Sequence, residues 1–411
     1  MKKLILLFVV TLLNCNFLFA SSNPPFKDQS EIELVESVPA ETILERSELH
    51  HAADVWMKMF NEAKKTIDIE TFYFSNQKGE VLEPLLDALK AAANRGVVIR
   101  IIVDSSFYAG SEHSVDLLDG VKNITIKKLN MKPIAGGIMH AKYFVVDGDN
   151  VFTGSQNMDW RALKHIHEMG VRVKNEQIGY TFEEIFNIDY QLCDNHDVSL
   201  IKDKLSPKKL QAINSLNPVK FESLEYGAVS LYPAFSPENI TPSMLEGELE
   251  SLLRIVSKAK DKILIQMYSY NTKNNFTQID DALRAAAVRG VKIKIIFSNW
   301  AIRTDATEQI KSLSQVPNIE IKFSNIPEYS AGFIPYARVE HCKYFMADDD
   351  MSFISSANWE KGYFYDTRNA TMIINNSRIN AALQSVFMRD WNGDLTETVD
   401  PQKMYEPVKK K

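Results

Sequence analysis

The sequence predicts an α/β protein made of two copies of one lobe, each a mostly parallel mixed sheet flanked by helices. Two observations predict it. Residues 87–102 (DALKAAANRGVVIRII) recur as residues 281–296 (DALRAAAVRGVKIKII), with twelve of sixteen columns identical. The tripeptide His140-Ala141-Lys142 recurs 201 positions later as His341-Cys342-Lys343. Because a repeat of this length is longer than a solenoid unit, a whole domain has been copied once, and a single site is expected where the copies meet.

Each copy has the order strand, helix, turn, strand. The apolar spacing from Leu85 to Ala93 predicts a helix, which Gly96 ends as a left-handed residue would. The β-branched run from Val97 to Val103 predicts a strand buried on both faces. The second copy repeats this pattern over residues 290–297. Strand–helix–strand order implies a largely parallel sheet with helices against its faces.

The first twenty residues combine a basic start, a short apolar core and a small-residue cleavage site. This pattern is typical of a secretory signal peptide, with an uncleaved anchor as the alternative. It predicts a protein of the secretory pathway, or a periplasmic or extracellular one in a bacterium. Prolines and acidic residues mark the other boundaries. The predicted segments are a signal peptide (1–20), a flexible lead-in (21–48), a first lobe (49–201), an inter-lobe connection (202–245), a second lobe (246–395) and a solvated tail (396–411).

The composition is that of a globular protein, with 45% hydrophobic and 24% charged residues. A formal net charge of −6 predicts no broad basic surface for DNA or anionic lipid. Only two cysteines follow the leader, which excludes a disulfide framework, and Cys342 is expected as a buried free thiol. Asn-x-Ser/Thr sequons, a weak indication of compartment, begin at Asn123, Asn239, Asn275, Asn369 and Asn375.

Further polar residues follow each His-x-Lys tripeptide in one register. In the first copy these are Asp147, Ser155 and Asn157. Because side chains alternate along a strand, His140 and Lys142 are expected on one face of a strand over residues 137–147. Ser155 and Asn157 are expected on one face of the next strand, residues 151–157. The second copy repeats the set with His341, Lys343, Asp348, Ser356 and Asn358.

Together the two sets have the chemistry of a phosphate site. Two lysines and two amides suit phosphate oxygens and the charge of a pentacoordinate transition state. One histidine can attack phosphorus, while the other protonates the leaving oxygen and then activates water. Each imidazole needs a partner on its second nitrogen. Glu168 suits that role in the first copy, and the equivalent position in the second copy is Asn369, with Asp366 nearby.

Several residues have a structural alternative. A catalytic metal or other cofactor is not expected, since a lysine beside each histidine repels cations and no carboxylate stands at ligand spacing. Asp147 and Asp348 are expected to close turns rather than take part in chemistry. His165 and His167 are interpreted as surface or packing residues. Four aromatic residues either wall the pocket or fill the core, the second being commoner: Trp160, Trp359, Tyr363 and Phe364.

The repeated His-x-Lys-x4-Asp signature resembles the phospholipase D superfamily. Residues 140–171 and 387–393 (FMRDWNG) are similar to its endolysosomal branch, which includes the animal members three and four and related poxvirus proteins. The resemblance implies one site between two lobes and metal-independent cleavage through a phosphohistidine. It implies His140 as the nucleophile and His341 as the general acid. By the same resemblance, Lys142, Lys343, Asn157 and Asn358 bind phosphate, Ser155 and Ser356 are supporting, substrate-binding hydroxyls, and Glu168 orients a histidine.

Two departures accompany this resemblance. Ser355 stands where the first copy has Gly154, and no glutamate matches Glu168 in the second copy. The predicted function is a phosphoric diester hydrolase that releases the head group of glycerophospholipids such as phosphatidylcholine. The first alternative is a 5′ exonuclease on single-stranded DNA or RNA in an endolysosomal or extracellular compartment, the endolysosomal lumen being what the resemblance implies. The second alternative is an inactive binding or scaffold protein. The expected partners are the phosphodiester substrate and a peripheral membrane surface, with no obligate protein partner.

Overall fold

A computed structural model describes residues 30–108, 114–201 and 212–410 of the chain. The predicted signal peptide, residues 1–20, lies outside these residues. The described part consists of two large sheets with helices against their faces, which confirms the predicted two-lobed α/β architecture. None of the helices within the described ranges has the length and hydropathy needed to cross a membrane.

The first lobe is built on a nine-stranded sheet in the order β2-β1-β10-β8-β7-β3-β5-β6, with β17 of the second lobe paired to β10. A short pair, β4 and β9, lies apart from it. The strands of this lobe are β1 (Glu31–Ser37), β2 (His50–His51), β3 (Thr66–Thr71), β4 (Phe74–Ser75), β5 (Val98–Asp104), β6 (Ile124–Leu129), β7 (Lys142–Val146), β8 (Asn150–Gly154), β9 (Met158–Asp159) and β10 (Ile166–Lys174).

The second lobe repeats this plan in a ten-stranded sheet, ordered β11-β12-β20-β19-β18-β14-β15-β16-β21, with β13 paired to β12. Its strands, with the crossing strand β17, are β11 (Val219–Ser223), β12 (Gly227–Ser236), β13 (Glu246–Gly247), β14 (Lys262–Met267), β15 (Lys292–Ser298), β16 (Ile319–Ser324), β17 (Val339–Glu340), β18 (Lys343–Ala347), β19 (Met351–Ser355), β20 (Asn369–Asn375) and β21 (Thr396–Thr398).

The helices pack against the faces of both sheets. Those of the described residues are α1 (Ala52–Glu62), α2 (Glu83–Asn94), α3 (Ser105–Tyr108), α4 (Lys132–Ala135), α5 (Glu176–Leu192), α6 (Glu248–Lys258), α7 (Gln278–Val288), α8 (Thr304–Ser314), α9 (Lys361–Tyr365) and α10 (Ser377–Asn392). Helix α2 and its copy α7 are the repeated helix of the sequence, and each is followed by a glycine at φ 98° (Gly96 and Gly290). A left-handed residue there ends the helix and turns the chain into the next buried strand.

The sheets contain less parallel pairing than the sequence suggested. Strands β3, β5 and β6 are parallel neighbours, as are β14, β15 and β16. The strands that follow each His-x-Lys tripeptide are antiparallel, because β7–β8 and β18–β19 are joined by short turns. The half of each lobe that contains the His-x-Lys tripeptide is therefore an antiparallel meander, and the repeated strand–helix–strand unit forms its parallel flank.

Three predicted boundaries need correction. The lead-in is not flexible throughout, since β1 pairs along its whole length with β10 and residues 34–37 are buried. The inter-lobe connection includes β11 and β12, and β12 pairs with β20 over seven residues. The C-terminal segment includes β21, which extends the second sheet beside β16. In each case the backbone of the segment completes a sheet edge, an arrangement that its prolines and charges did not indicate.

The lobes share apolar packing. One face of the first sheet, together with α5, is continuous with the core of the second lobe. The ring of Phe182 in the first lobe packs on that of Phe235 in the second, with their centroids 5.2 Å apart. The other face of the first sheet packs against α1 and α2 in a separate core. A shared core fixes the relative position of the lobes, which a site built from both requires.

Candidate active site

The residues that precede each His-x-Lys tripeptide pair through their backbone with the other lobe. Strand β7 begins at Lys142 and not at Gly137 as predicted, because the preceding residues pair with the second lobe. Met139 bridges to Arg368, whose carbonyl accepts the His140 N–H at 2.9 Å. A Cβ at Gly137 would lie 2.4 Å from the Asp366 carbonyl oxygen, so this close approach requires glycine.

The second tripeptide is reached in the same way. Strand β17 pairs with β10 of the first lobe, joining Val339 to Ile166 and Glu340 to His167. The N–H of His341 donates to the carbonyl of His167 at 2.9 Å. The backbone of each of these two histidines is thus hydrogen-bonded to the opposite lobe, and the two halves of the site form one unit.

The two histidines exchange their orienting partners between lobes. Nδ1 of His341 lies 2.8 Å from both carboxylate oxygens of Glu168, and Nδ1 of His140 lies 3.1 Å from Oδ1 of Asn369. The prediction that Glu168 orients the histidine of its own copy is therefore wrong. The cause is the strand crossing, which sets the start of β10 behind His341 and the start of β20 behind His140. Asn369 is fully buried, so its sequon has no accessible side chain.

The lysines lie beneath the imidazoles. Each ammonium donates to the carbonyl of its own histidine, Lys142 to His140 at 2.7 Å and Lys343 to His341 at 2.6 Å. Both lysines are buried. Burial, and for Lys142 also the charge of Lys343, lowers their pKa values, well below the usual range for Lys142 and to about 8 for Lys343. An incoming anion would stabilise both charges.

The two asparagines complete the polar floor. Asn157 and Asn358 line the same cavity as His140 and His341. Both are buried, and among the described residues neither Oδ1 atom has a hydrogen-bond partner. Unpaired buried amide groups cost free energy unless a ligand satisfies them.

The serines do not reach the cavity, which corrects their assignment as substrate-binding hydroxyls. Ser155 exchanges hydrogen bonds with the N–H and carbonyl of Met169, at 3.0 and 3.2 Å. Ser356 donates to Asn369 Oδ1 and accepts from the N–H of Ala370, both at 3.1 Å. Their hydroxyls hold the strands that carry the orienting side chains, and so act on the imidazoles indirectly.

The motif aspartates lie away from the cavity. Asp147 and Asp348 both adopt φ 53° at the end of their strands. The carboxylate of Asp147 accepts the N–H groups of residues 64–66, and that of Asp348 accepts those of residues 260–262. These contacts anchor the turn before β3 or β14, and neither aspartate contacts a histidine of the site.

Burial dominates the electrostatics of the imidazoles. It lowers the pKa of His140 well below the usual value, and the charges of Lys142 and Lys343 act in the same direction. It also lowers the pKa of His341, again with both lysines contributing. The pKa of Glu168 is raised well above its usual value by burial, while the lysines oppose that shift. A bound phosphodiester would bring a negative charge against both histidines and so favour their protonated forms.

Aromatic side chains wall the cavity, which has a volume of about 590 Å³. The ring of Phe72 lies 5.0 Å from His140, and its counterpart Tyr268 lies 4.7 Å from His341. Tyr363 closes on His140 at 4.9 Å. The other predicted aromatic residues are buried and do not line the cavity. The remaining lining aromatics, which the sequence analysis did not identify, are Tyr73, Phe74, Phe107, Trp300 and Tyr336.

A larger cavity of about 1330 Å³ lies elsewhere, beside Asp147. It is lined by charges of both signs, and none of the imidazoles reaches it, so its size carries no chemical argument. The smaller cavity is the candidate site because the paired bases open onto it.

Among the described residues, one group of side chains has donor atoms close enough together to hold a metal ion: His167, Glu340 and Cys342. The fit is poor. Both ring nitrogens of His167 already bond to carboxylates, Nδ1 to Glu340 at 2.6 Å and Nε2 to Glu36 at 2.7 Å. An imidazole held between two carboxylates is best protonated and then has no lone pair for a metal.

The departure at Ser355 has a local cause. A Cβ at Gly154 would lie 2.5 Å from Gly170 Cα, so the first lobe needs glycine there. In the second lobe Ser355 and Thr371 stand at these positions and both donate to the carboxylate of Glu248. Helix α6 therefore supplies a polar group where the first lobe has close backbone packing, and neither arrangement alters the residues lining the cavity.

This fold and site define the class, a two-lobed protein with paired imidazoles and amides around one cavity and a buried lysine beneath each imidazole. The family model described as cardiolipin synthase, PLD-like domain, matches residues 56–190 and 252–391. "Phospholipase D Z" of Dictyostelium discoideum is 30% identical over 94% of this chain and 97% of its own length. "5'-3' exonuclease PLD3" of Xenopus laevis is 28% identical over 90% and 81%. The chain therefore belongs to the phospholipase D superfamily and is similar along nearly its whole length to the PLD3 and PLD4 branch.

Solved structures agree on the fold. Phosphatidylserine synthase of Haemophilus influenzae matches with a TM-score of 0.62 over 84% of this chain and 85% of its own, at 11% identity. Polyphosphate kinase of Porphyromonas gingivalis matches with a TM-score of 0.54 over 90% and 48%, at 13% identity. At these identities the likeness concerns the fold alone.

Proposed function

We propose that this protein is a phosphoric diester hydrolase that works without a metal ion, through a covalent phosphohistidine. The observation that carries the proposal is the cavity onto which His140 and His341 both open, with Asn157 and Asn358 beside them and Lys142 and Lys343 buried beneath them. Membership of the phospholipase D superfamily supports the same class of reaction. The paired cations and amides bind the phosphate, and the two imidazoles divide the covalent and proton-transfer work.

The orienting partners assign the two histidines. Asn369 accepts from Nδ1 of His140, which leaves the Nε2 lone pair free to attack phosphorus. Glu168 lies against Nδ1 of His341. Burial raises the pKa of this carboxyl, but a protonated His341 favours its ionised form, and that carboxylate stabilises the imidazolium that donates a proton. His140 is therefore the nucleophile and His341 the acid, as the family resemblance implied.

The reaction has two balanced steps. In the first, the bond from His140 Nε2 to phosphorus forms while the bond from phosphorus to the leaving oxygen breaks, and His341 gives that oxygen its proton. In the second, His341 takes a proton from water, the water oxygen attacks phosphorus, and the phosphorus–nitrogen bond breaks. Lys142 and Lys343 offset the charge on the phosphoryl oxygens in both transition states.

The first proposed substrate is a glycerophospholipid such as phosphatidylcholine. The rings of Phe72, Tyr268, Trp300 and Tyr363 around the phosphate floor suit a quaternary ammonium head group, which aromatic faces attract. Two aromatic residues of the cavity, Phe107 and Tyr336, are 38% and 42% exposed, and would contact the surface of a membrane that presents the lipid. Similarity to proteins named phospholipase D supports this order.

The second proposed substrate is the 5′ end of single-stranded DNA or RNA. Nucleobases stack on the same kind of ring, and the stacked pair Tyr73 and Phe107, with centroids 4.8 Å apart, offers a platform at the cavity. The net charge of −6 favours engagement of a chain end over tracking along a polyanion. Similarity to the 5'-3' exonucleases PLD3 and PLD4 supports this alternative.

Three assays test these proposals in sequence. Hydrolysis of bis-p-nitrophenyl phosphate by the purified protein, lost in His140→Ala, separates an enzyme from an inactive scaffold. Choline release from phosphatidylcholine vesicles is then compared with shortening of a 5′-hydroxyl oligonucleotide at equal enzyme concentration. Shortening without choline release reverses the proposed order, and failure to cleave any of the three substrates contradicts the enzymatic function.

We further propose a secretory route, supported by the pattern of residues 1–20. Expression of the full chain in secretory cells is expected to yield mature protein that begins at Ser21. N-terminal sequencing of protein from the medium and from the lumenal fraction checks this. Recovery of the whole chain in the cytosol contradicts it.

A further inference from the structure

A buried group of acceptors lies behind each half of the site. We call each group an acceptor box, and the members of the two boxes occupy equivalent positions in the two lobes. The tyrosine hydroxyl donates to the neighbouring Glu or Gln at 2.6 Å in both. The box of the first lobe is Glu70, Tyr143 and Asp189, and that of the second lobe is Gln266, Tyr344 and Asp390.

The first box holds a cation from the second lobe. The guanidinium of Arg368 makes two bonds to Asp189, Nε to Oδ2 at 2.6 Å and Nη2 to Oδ1 at 2.7 Å. It also donates to the carbonyl of Ile240 at 2.9 Å. Both charged side chains are completely buried, and removal of either partner would leave an unpaired charge in the interior.

The second box holds a cation from the first lobe. His167 stands 201 positions before Arg368, at the same place in its strand. Its Nδ1 lies 2.6 Å from Glu340 and 3.5 Å from Asp390, and Gln266 joins those two carboxylates with bonds of 2.8 Å. Its Nε2 lies 2.7 Å from Glu36. The lobes therefore exchange cations, one into each box.

Each exchanged cation is next to the machinery of the site. Arg368 directly precedes Asn369, and its carbonyl accepts the N–H of His140. His167 directly precedes Glu168, and its carbonyl accepts the N–H of His341. A shift of either cation in its box moves both the orienting side chain and the backbone of the imidazole that it orients.

We propose that His167 and Arg368 are positioning residues for different halves of the reaction, with His167 aligning the proton donor His341 and Arg368 aligning the nucleophile His140. The proposal rests on the proposed function, because it takes the roles of the two imidazoles from there. It assigns to His167 a task that its sequence context did not indicate, where it was interpreted as a surface or packing residue.

The two exchanged cations, His167 and Arg368, differ in their response to pH. The charged and titratable groups that face His167 are Glu36 from β1, Glu340 from β17, Asp390 and Arg389 from α10, Cys342, and Tyr344 from β18. Burial opposes its charge, but Cys342, Glu340 and Asp390 outweigh burial and raise the pKa of His167 well above its usual value. His167 is charged at acid and neutral pH. Its ion pairs weaken as the pH rises through the raised pKa, whereas Arg368 keeps its charge.

The test compares two substrates whose leaving groups differ. A p-nitrophenolate departs without a proton, whereas an alkoxide needs one from His341, so the ratio of their kcat/KM values reports on the acid. His167→Gln is expected to lower kcat/KM for an alkyl diester by about tenfold or more relative to the nitrophenyl diester. Arg368→Lys, the matched variant in the other half of the site, is expected to lower kcat/KM for both substrates by the same factor.

In His167→Gln, an unchanged ratio of the two kcat/KM values overturns the proposal, whether both values fall equally or neither falls. The difference in this ratio between wild type and His167→Gln is also expected to disappear at alkaline pH, where His167 of the wild type has lost its charge. If His167→Gln does not fold, Glu340→Gln removes the opposite charge and is judged by the same ratio. Undiminished hydrolysis by His140→Ala instead contradicts the proposed function, which keeps the two failures distinct.

Discussion

The two halves of the site have one framework and different chemistry. Around His140 the partner on Nδ1 is the neutral amide of Asn369, and the adjacent cation is the permanent charge of Arg368. Around His341 the partner is the carboxylate of Glu168, and the adjacent cation is His167. An amide oxygen fixes a tautomer and favours the imidazolium through one hydrogen bond, whereas an ionised carboxylate adds the attraction of a full negative charge. Under the proposed roles, the residues at these two equivalent positions, Asn369 and Glu168, distinguish the nucleophile from the acid.

The most severe test of this comparison removes one imidazole at a time. With a p-nitrophenyl diester, His341→Ala is expected to form the phosphohistidine and then stall, because hydrolysis lacks its base. Its turnover is expected to fall by about 10²- to 10⁴-fold. His140→Ala is expected to lose both burst and turnover. Rapid-quench measurement of p-nitrophenolate checks this, and a burst in His140→Ala would reverse the assigned roles.

Exchange of the orienting partners is expected to have the next largest effect. Glu168→Gln removes the carboxylate behind the acid, and kcat for an alkyl diester is expected to fall by about 10- to 100-fold. Asn369→Asp places a carboxylate behind the nucleophile and raises the pKa of His140. Because the nucleophile must be neutral, the acid limb of the kcat/KM profile is expected to move to higher pH. An unmoved acid limb in Asn369→Asp would show that Asn369 does not govern the reacting nitrogen.

A smaller effect follows from the lysines. The pKa of Lys343 is lowered to about 8 by burial, so in the free enzyme its ammonium loses its charge as the pH rises through that value. Weaker phosphate binding is expected to raise KM above pH 8, with kcat less affected because bound phosphate restores the charge. Measurement of both constants from pH 6 to 10 checks this. A constant KM across that range contradicts the assigned role of Lys343.

The change expected to affect activity least is at Glu248, which replaces the glycine packing of the first lobe, and its effect is on stability. Burial raises its pKa to about 7 from 4.5, despite hydrogen bonds from Ser355 and Thr371. The unfolded carboxyl releases its proton first as the pH rises, so stability falls between about pH 4.5 and 7. The total loss is about 3 kcal/mol, from the shift in pKa.

Glu248→Gln is expected to flatten this part of the dependence of unfolding free energy on pH. Urea unfolding at pH 5 and pH 8 measures it, with Glu250→Gln on the exposed face of the same helix as the matched control. If Glu248→Gln keeps the wild-type slope, Glu248 is not the group that titrates.

The sequence was informative where a single strand decides the outcome. The alternation of side chains brought His140 and Lys142 to one place, and the duplication supplied their counterparts. It was also informative at Gly96 and Gly290, where a helix has to end. These properties depend on local backbone geometry, which residue type and spacing encode directly.

The sequence was less informative where two distant segments meet. The partner of Glu168 depends on how the lobes cross, and no spacing within one copy contains that information. The aromatic wall comes from the ends of strands and from loops of both lobes, so Phe72 and Tyr268 became recognisable only beside the histidines. A period-two alternation at Glu31-Ile32-Glu33-Leu34 did indicate strand β1, but the prolines and acidic residues around it favoured a flexible segment.

Direct identification of the covalent intermediate tests the central claim. The protein is mixed with a p-nitrophenyl phosphodiester, quenched at alkaline pH to preserve phosphohistidine, digested and analysed by mass spectrometry. We expect a phosphoryl adduct on His140 that accumulates in His341→Ala and is absent from His140→Ala. Turnover with no adduct on any histidine, or an adduct on His341 alone, would contradict it.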